Sequence, residues 1–175
     1  SVKVNGEQTN SGVPFSNSDI AMPEDSYGIS KWEAEQALWE VSASTGLEVV
    51  VVRPPLVYGP GVKGNFLRLL SLVERGVPLP LGSVFNHRSL VGLENLVDLL
   101  IHCVDYKVAA GHTLLVSDDD DLSTPELIRA LASALGKSSR LLNIPVSWLR
   151  MAGQITGKLG EVNRIVNSLQ VDISH

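Results

Sequence analysis

Residues 47–61 read LEVVVVRPPLVYGPG, a run of β-branched side chains that ends in a loop rich in proline and glycine. Such a continuous apolar run is typical of a strand buried in a parallel sheet. A helix is predicted before it, because Pro23-Glu24-Asp25-Ser26 supplies an N-cap and Gly46 stops the run. A helix followed by a buried strand indicates an α/β fold, in which ligands bind at the carboxyl ends of the strands.

Tyr27 and Lys31 lie four residues apart in this predicted helix, so both side chains fall on one face. A lysine ammonium beside a tyrosine hydroxyl favours the phenolate, which lets the tyrosine act as an acid or base near neutral pH. By itself the pattern Y-x-x-x-K is weak, since an amphipathic helix with a solvated lysine also produces it. The flanking segments favour the catalytic interpretation.

Three segments together carry a resemblance: Ser1-Val2-Lys3-Val4-Asn5-Gly6, Tyr27-Gly28-Ile29-Ser30-Lys31 and Arg53-Pro54-Pro55-Leu56-Val57-Tyr58-Gly59-Pro60-Gly61. They resemble the NAD-dependent nucleotide-sugar epimerase/dehydratase family of extended short-chain dehydrogenase/reductases. The resemblance implies that the Ser1 hydroxyl bonds the sugar 4-hydroxyl, that Tyr27 exchanges the proton, and that Lys31 holds the nicotinamide ribose. The implied cofactor is NAD, with NADP as the alternative. The residues implied to border it are Tyr27, Lys31, Pro54, Pro55 and Leu56.

The resemblance also implies the domain organisation. We expect the C-terminal part of a Rossmann-like doubly wound parallel sheet and a small mixed α/β substrate-binding lobe. Residues 1–60 would be the second half of the NAD-binding domain, and residues 61–175 mainly the lobe, with some segments returning to the sheet. The chain begins at the catalytic Ser position, so the resemblance leaves out the first half of the Rossmann domain, which carries the glycine-rich turn for the cofactor pyrophosphate. Residues 171–175 resemble the start of a longer segment. We therefore expect a fragment that alone binds NAD poorly and is inactive.

Residues 64–76 predict an apolar helix that begins near Gly64-Asn65 and ends at Gly76. The N-terminus of a helix attracts phosphate groups. The family resemblance implies that Asn65 contacts the diphosphate of the substrate, with Phe66 and Leu67 beside it. A simple helix cap explains Asn65 equally well.

Two further segments are implied to hold the nucleotide. Residues 77–82 contain too much proline for a central strand and suit an extended edge segment. There Leu79 and Leu81 are implied to contact a uracil base, with hydrophobic edge packing as the alternative. Arg88 precedes a strand-like run and matches the family's diphosphate-binding arginine. Its planar guanidinium makes bidentate contacts with phosphate, although a solvated surface arginine is the alternative.

The remaining sequence has the pattern of a scaffold. We predict a helix at 93–105, a strand at 112–117, and a helix that opens with Ser123-Thr124-Pro125-Glu126, a capping box with proline at its start. Asp118 to Asp121 lack the alternating spacing and the glycine of a calcium loop, so they do not predict a metal site. Residues 1–6 read as the end of a strand that runs into a glycine turn.

The amino-acid composition argues against two classes of partner, nucleic acids and membranes. The chain has 175 residues and 44% hydrophobic content, enough for a sizeable core. Its net charge of -5 argues against a nucleic-acid surface, and no run approaches the roughly 18 apolar residues of a membrane span. The single cysteine, Cys103, reads as a small buried hydrophobe and cannot form an internal disulfide. These features favour a reducing cytoplasm.

The resemblance leaves the reaction open. Dehydratases of the family carry an Asp-Glu pair directly after the catalytic Ser or Thr, where this chain has Val2 and Lys3, so elimination of water is not expected. A 4-epimerase and a 4-ketoreductase or dehydrogenase remain. The expected substrate is a UDP-sugar, specifically a UDP-N-acetylhexosamine used for polysaccharide biosynthesis. By analogy, a homodimer is the expected assembly.

Two other classes stay open. A steroid or flavonoid-type short-chain dehydrogenase uses the same Ser, Tyr and Lys with an apolar pocket, against which Arg88 and Asn65 argue. A non-catalytic Rossmann-like redox sensor generally lacks the Tyr/Lys pair. Leu56 stands where some epimerases have an asparagine, so the sequence does not predict which sugar is bound.

Overall fold

A computed structural model describes residues 1–9 and 13–174. His175, which ends the stretch 171–175, lies outside the described residues. Within them, short 3-10 turns occur at Val2–Val4 and Lys107–Ala109. The strands are β1 (Val51–Arg53), β2 (Leu56–Tyr58), β3 (Leu90–Gly92) and β4 (Thr113–Leu115). The helices are α1 (Ser26–Thr45), α2 (Asn65–Glu74), α3 (Leu93–Asp105), α4 (Thr124–Ala134), α5 (Val146–Ile155) and α6 (Leu159–Val166).

The strands form parallel pairs. β1 pairs with β4, with Val51 opposite Thr113, and β2 pairs with β3, with Leu56 opposite Leu90. Parallel neighbours require long crossover connections, which helices provide in α/β proteins. The predicted α/β class is therefore confirmed. β1 is shorter than predicted, since it begins at Val51 and residues 47–50 lie outside the ladder.

The prediction of a strand at residues 1–6 is wrong. Val4 and Asn5 donate their N–H groups to the carbonyls of Ser1 and Val2, at 3.1 and 2.9 Å, so the backbone winds into a 3-10 turn. Val2 and Val4 are buried. Their branched side chains suit a strand, but burial against the rest of the domain outweighs that local preference.

Helix α1 begins after Asp25, whose carboxylate accepts the N–H of Gly28 at 2.6 Å, and ends at Gly46, which has φ 75. Both ends agree with the predicted cap and stop. Of the α1 residues, all of which the structure describes, Gly28 and Glu35 alone are buried. A Cβ atom at Gly28 would lie 2.8 Å from the carbonyl oxygen of Lys3. The glycine therefore permits the N-terminal 3-10 turn to approach the helix.

The chain divides into two compact units. Unit 1 comprises Ser1–Gly59, Ser89–Asp120 and the chain from Leu169 onward, and unit 2 comprises Pro60–Arg88 and Asp121–Ser168. Unit 1 contains the four strands named above with α1 and α3, and unit 2 contains α2, α4, α5 and α6. The assignment of the cofactor to residues 1–60 and of the substrate to residues 61–175 stays a prediction.

Each unit has its own apolar cluster. The cluster of unit 2 has a buried centre to which Leu69, Leu81, Leu131, Leu135 and Leu141 add partly buried side chains; its fully enclosed members are Val73, Leu79, Ile128 and Ala132. The smaller cluster of unit 1 consists of Val2, Leu169 and Val171, with Phe15 and Leu115 packed on it. The predicted capping box at the start of α4 is confirmed, because Ser123 and Glu126 exchange both hydrogen bonds.

In the part of the chain that the structure describes, no helix is long and apolar enough to cross a membrane. The same residues contain no group of three or more His, Cys, Asp or Glu side chains arranged to hold a metal ion. Cys103, on α3, is half-buried rather than buried.

Candidate active site

Tyr27 and Lys31 lie side by side on the first turns of α1. The Lys31 Nζ is 5.5 Å from the centroid of the Tyr27 ring. Both side chains are exposed, Tyr27 to 51%. The spacing of four residues on a helix thus brings the ammonium to the aromatic ring, and the phenol is accessible to a small molecule.

Ser1 is half-buried and directly precedes the N-terminal 3-10 turn. Its carbonyl accepts the N–H of Val4 at 3.1 Å, and the Lys3 carbonyl of the same turn lies against Gly28 of α1. The turn that follows Ser1 is therefore packed beside the helix of Tyr27 and Lys31, and the contact of Ser1 with a sugar stays a prediction.

Pro54, Pro55 and Leu56 form the link between β1 and β2. The Pro54 carbonyl accepts the N–H of Val2 at 3.2 Å, which fixes the turn of Ser1 beside this link. Leu56 opens β2 opposite Leu90. All three link residues are half-buried. They follow the carboxyl end of a parallel strand, where α/β proteins bind ligands, and their contact with a cofactor stays a prediction.

Sequence reasoning missed a buried polar network behind this region. The Arg53 Nη2 donates to Glu35 Oε2 at 2.6 Å, its Nε donates to the same oxygen at 3.1 Å, and its Nη1 donates to Asn5 Oδ1 at 3.0 Å. Asn5 in turn donates from Nδ2 to the Ser16 carbonyl at 3.1 Å. Arg53 and Glu35 are each 7% exposed. The signals in the sequence were an arginine that ends an apolar strand and a glutamate two helical turns after Tyr27.

The N-terminus of α1 is held by a second charged group. Lys3 donates from Nζ to Glu7 at 2.6 Å and to Asp25 at 2.5 Å. Burial raises the pKa of Asp25, but hydrogen bonds from Lys3 and from the Gly28 N–H outweigh burial and lower that pKa to about 2. The helix that carries Tyr27 therefore starts at a carboxylate that stays ionised.

Asp118 joins the last residues of β2 and β3 to the start of α3. Its Oδ2 accepts the Tyr58 hydroxyl at 2.7 Å and the Gly92 N–H at 2.9 Å, and its Oδ1 accepts the Asn95 amide at 2.8 Å. Burial raises the pKa of Asp118, but the bonds from Asn95, Tyr58 and Gly92 hold it below its usual range. The bond to Asp118 raises the pKa of Tyr58. Asp118 thus has a structural role, in which it holds the ends of β2 and β3 and the start of α3 together.

Asn65, Phe66 and Leu67 form the first turn of α2 in unit 2. The helix begins after Gly64, which has φ 73, and ends before Gly76, as predicted. Phe66 is buried, whereas Asn65 and Leu67 are exposed. The N-terminus of α2 thus presents Asn65 to solvent, and its contact with a diphosphate stays a prediction.

Leu79 and Leu81 belong to the extended segment of unit 2. Leu79 is buried in the apolar cluster, and its N–H and carbonyl bond to the Arg140 carbonyl and the Leu142 N–H, each at 2.8 Å. The Leu81 carbonyl accepts the Val84 N–H at 3.3 Å. The segment is extended, as predicted, and Leu79 packs within the apolar cluster of unit 2. Contact of either residue with a base stays a prediction.

Arg88 lies at the C-terminal end of α6. Its Nη1 donates to the carbonyls of Arg164 and Asn167, the latter at 3.3 Å. A cation at this end of a helix is stabilised by the macrodipole. Arg88 is half-buried, and its contact with phosphate stays a prediction.

Asn86 was not singled out from the sequence, although it is 1% exposed. Its Nδ2 donates to Thr124 Oγ1 at 3.0 Å and to the carbonyls of Ile165 and Asn167, at 3.0 and 3.1 Å; its Oδ1 accepts the Thr124 N–H at 2.8 Å. The amide thereby ties the start of α4 to the end of α6 beside Arg88. A lone asparagine carries no signal in sequence for such a role.

Comparison with known proteins decides the family. A family model described as the NAD dependent epimerase/dehydratase family matches residues 1–116. The chain belongs to this family. Membership of the epimerase/dehydratase family confirms the resemblance carried by the segments around Ser1, Tyr27 and Arg53.

Two curated relatives of this chain are about twice its length. The UDP-glucose 4-epimerase of Vibrio cholerae is 49% identical over 176 residues, which cover 100% of this chain and 54% of that protein. The N-acetyl-alpha-D-glucosaminyl-diphospho-ditrans,octacis-undecaprenol 4-epimerase of Escherichia coli O157:H7 is 28% identical over 167 residues, which cover 88% of this chain and 50% of the relative. The chain thus spans about half the length of both relatives.

The chain shares its fold with solved structures of other proteins. The UDP-glucuronic acid 4-epimerase of Bacillus cereus, solved in complex with NAD, superposes with a TM-score of 0.74 at 18% identity. That match covers 98% of this chain and 50% of the solved chain. The Rossmann-like relationship predicted from the sequence is therefore confirmed.

Proposed function

We propose that the protein is an NAD-dependent 4-epimerase of UDP-sugars that works through Ser1, Tyr27 and Lys31. The observation that carries the proposal is the placement of the Lys31 ammonium 5.5 Å from the centre of the accessible Tyr27 ring. The 49% identity to a UDP-glucose 4-epimerase supports it from an independent direction. Val2 and Lys3 stand where a dehydratase of this family has acids, so elimination of water is not proposed.

The side chains present fit the nicotinamide-ribose end of NAD. Lys31 carries an exposed ammonium that can donate to ribose hydroxyls, and Tyr27 offers an exposed phenol beside it. Pro54, Pro55 and Leu56 would border the ring. When bound, NAD supplies the two-electron oxidation and reduction of sugar carbon 4.

Proton transfer would be the task of Tyr27. As a phenolate stabilised by the adjacent ammonium of Lys31, its oxygen takes the proton of the sugar 4-hydroxyl and later returns it. The Ser1 hydroxyl orients the same sugar oxygen by a hydrogen bond. Neither group is consumed, which suits a reaction that inverts one carbon without net oxidation.

Substrate binding is proposed for unit 2, with cofactor binding in unit 1. Asn65 and Arg88 would contact the diphosphate, Phe66 and Leu67 would lie beside it, and Leu79 and Leu81 would border the base. We propose a UDP-N-acetylhexosamine, because the Escherichia coli relative is named for an N-acetylglucosaminyl substrate. Cytoplasmic location and a homodimer complete the proposal.

The test uses the product of the complete gene, incubated with NAD and with UDP-N-acetylglucosamine or UDP-glucose. Inversion at carbon 4, followed by NMR without net accumulation of reduced cofactor, would support the epimerase. Stoichiometric reduction of NAD would instead indicate a 4-dehydrogenase, and no reaction with any UDP-sugar would contradict the proposal. Tyr27→Phe should abolish most turnover with little change in KM, because only the transferable proton is lost. Tyr106→Phe, an exposed tyrosine outside the site, serves as the matched control.

A further inference from the structure

The buried network of Arg53, Glu35 and Asn5 connects three separate parts of unit 1. Arg53 ends β1 and directly precedes Pro54, Glu35 lies within α1, and Asn5 follows the 3-10 turn that starts at Ser1. Each of these parts also carries a residue of the proposed site. The Arg53 guanidinium therefore bonds to α1, which carries Tyr27, and to the residue after the 3-10 turn that follows Ser1. Arg53 itself directly precedes the Pro54 link.

Helix α1 is tied to the end of β1 by this network. Apart from Gly28, Glu35 is the buried residue of the helix in this chain, and its carboxylate accepts two hydrogen bonds from Arg53 through Oε2. Glu35 lies one turn after Lys31 and two turns after Tyr27. Its contacts with Arg53 therefore fix the face of the helix on which both site residues lie.

Stability alone does not account for such an arrangement. Taking two charges out of water offsets much of their mutual attraction, and buried ion pairs can often be replaced by apolar residues without loss of stability. An apolar pair would not restrict the relative orientation of the two side chains as hydrogen bonds do. Arg53 bonds Glu35 through two nitrogens and Asn5 through a third, a geometry that allows little rotation or sliding.

We propose that Arg53, Glu35 and Asn5 are positioning residues, which hold α1, the Ser1 turn and the Pro54 link in the relative arrangement that catalysis by Tyr27 requires. This role rests on the proposed function. None of the three residues touches the sugar in this scheme; they act through the segments that carry Ser1, Tyr27 and Lys31.

The decisive variant replaces both charges together, Glu35→Met with Arg53→Met, in the product of the complete gene. The pair remains buried and similar in volume, so the melting temperature should stay close to that of the wild type. We expect kcat to fall by about 10- to 100-fold, because small misplacements of reacting groups have effects of this size. The KM for the UDP-sugar should change by less than about twofold, since substrate contacts are retained. Glu40→Gln, exposed on the same helix, should leave both constants unchanged.

A double variant that folds and retains the wild-type kcat would overturn the proposal. Amide hydrogen exchange on this chain gives a readout that needs no activity: residues 27–35 should lose protection in the double variant and not in Glu40→Gln. An inactive wild type would refute the proposed function, and unchanged exchange would separately refute the positioning role. If the double variant does not fold, Asn5→Ala keeps the ion pair and removes the bonds of Asn5 with Arg53 and with the Ser16 carbonyl. A smaller loss of kcat and a smaller loss of exchange protection are then expected.

Discussion

The surroundings of α1 in unit 1 and the centre of unit 2 are built from different interactions. Around α1 the buried contacts are polar, with Arg53 between Glu35 and Asn5. In unit 2, Val73, Leu79, Ile128 and Ala132 form an apolar centre. Apolar packing tolerates small shifts, whereas charged hydrogen bonds fix direction and distance. The positions of the segments that carry the proposed catalytic residues are thus more strictly fixed than those of the apolar residues in unit 2.

The largest effect should come from breaking the polar region on one side only. Arg53→Met leaves the Glu35 carboxylate buried without its cation, which should lower the free energy of unfolding by about 3–5 kcal/mol. Urea denaturation measures it. The double variant with Glu35→Met should recover most of the loss, and equal losses in the single and double variants would contradict this view of the network.

A comparable but purely apolar loss is expected in unit 2. Ile128, 1% exposed, leaves a cavity when changed to Ala, which should lower the free energy of unfolding by about 2–5 kcal/mol. No second substitution of a partner should restore it in the way expected for Arg53. Ile155→Ala, at a position 80% exposed, is the control and should change the stability little.

Replacing two glycines by alanine should change the stability of the protein in opposite directions. Gly28→Ala places a methyl group 2.8 Å from the Lys3 carbonyl oxygen, which should destabilise unit 1 by about 1–3 kcal/mol. Gly160, in α6 of unit 2, has no atom within 4 Å of an added Cβ. Gly160→Ala should therefore stabilise the protein by about 0.4–1 kcal/mol. Thermal unfolding of both variants tests the pair, and a stabilising Gly28→Ala would show that the turn can move away.

The smallest effect should appear as a dependence on pH. The pKa of Asp25 is lowered from 3.8 to about 2 in the folded state, so its carboxylate stabilises the fold above pH 3.8, and this contribution is lost as the pH falls toward about 2. Asp25→Asn keeps an N-cap but removes the charge facing Lys3. The wild type should exceed this variant in stability near neutral pH and lose the advantage in acid. The deficit of Ile128→Ala should not follow this titration, and a pH-independent Asp25→Asn deficit would contradict the assignment.

Elements governed by local chemistry were predictable from the sequence. α3 occupies residues 93–105 as predicted, and α4 opens at the predicted capping box. Apolar periodicity, caps and glycine stops act within a few residues, so one sequence contains the whole signal. The pairing of Tyr27 with Lys31 on one helix face belongs to the same category.

Features that depend on distant partners were not predictable. The turn at Val2–Val4 replaces a strand because burial decides it, and Arg53 finds Glu35 across 18 positions. Asn86 and Thr124 are 38 positions apart. The contacts of Arg88 with the end of α6 could not be foreseen either, and its binding to phosphate stays a prediction. Such contacts follow from the fold rather than from the spacing of residues.

The two prolines between β1 and β2 make the length of that link critical. Lacking N–H groups, Pro54 and Pro55 cannot extend a ladder, and the strands on either side pair with different partners. Successive side chains of a strand point to opposite faces, so one inserted residue would reverse every side chain of β2. The Tyr58 hydroxyl would then face away from Asp118 while Arg53 kept its contacts with Glu35. The number of residues between Arg53 and Tyr58 therefore determines whether the Arg53–Glu35 contacts and the Tyr58–Asp118 bond can form at the same time.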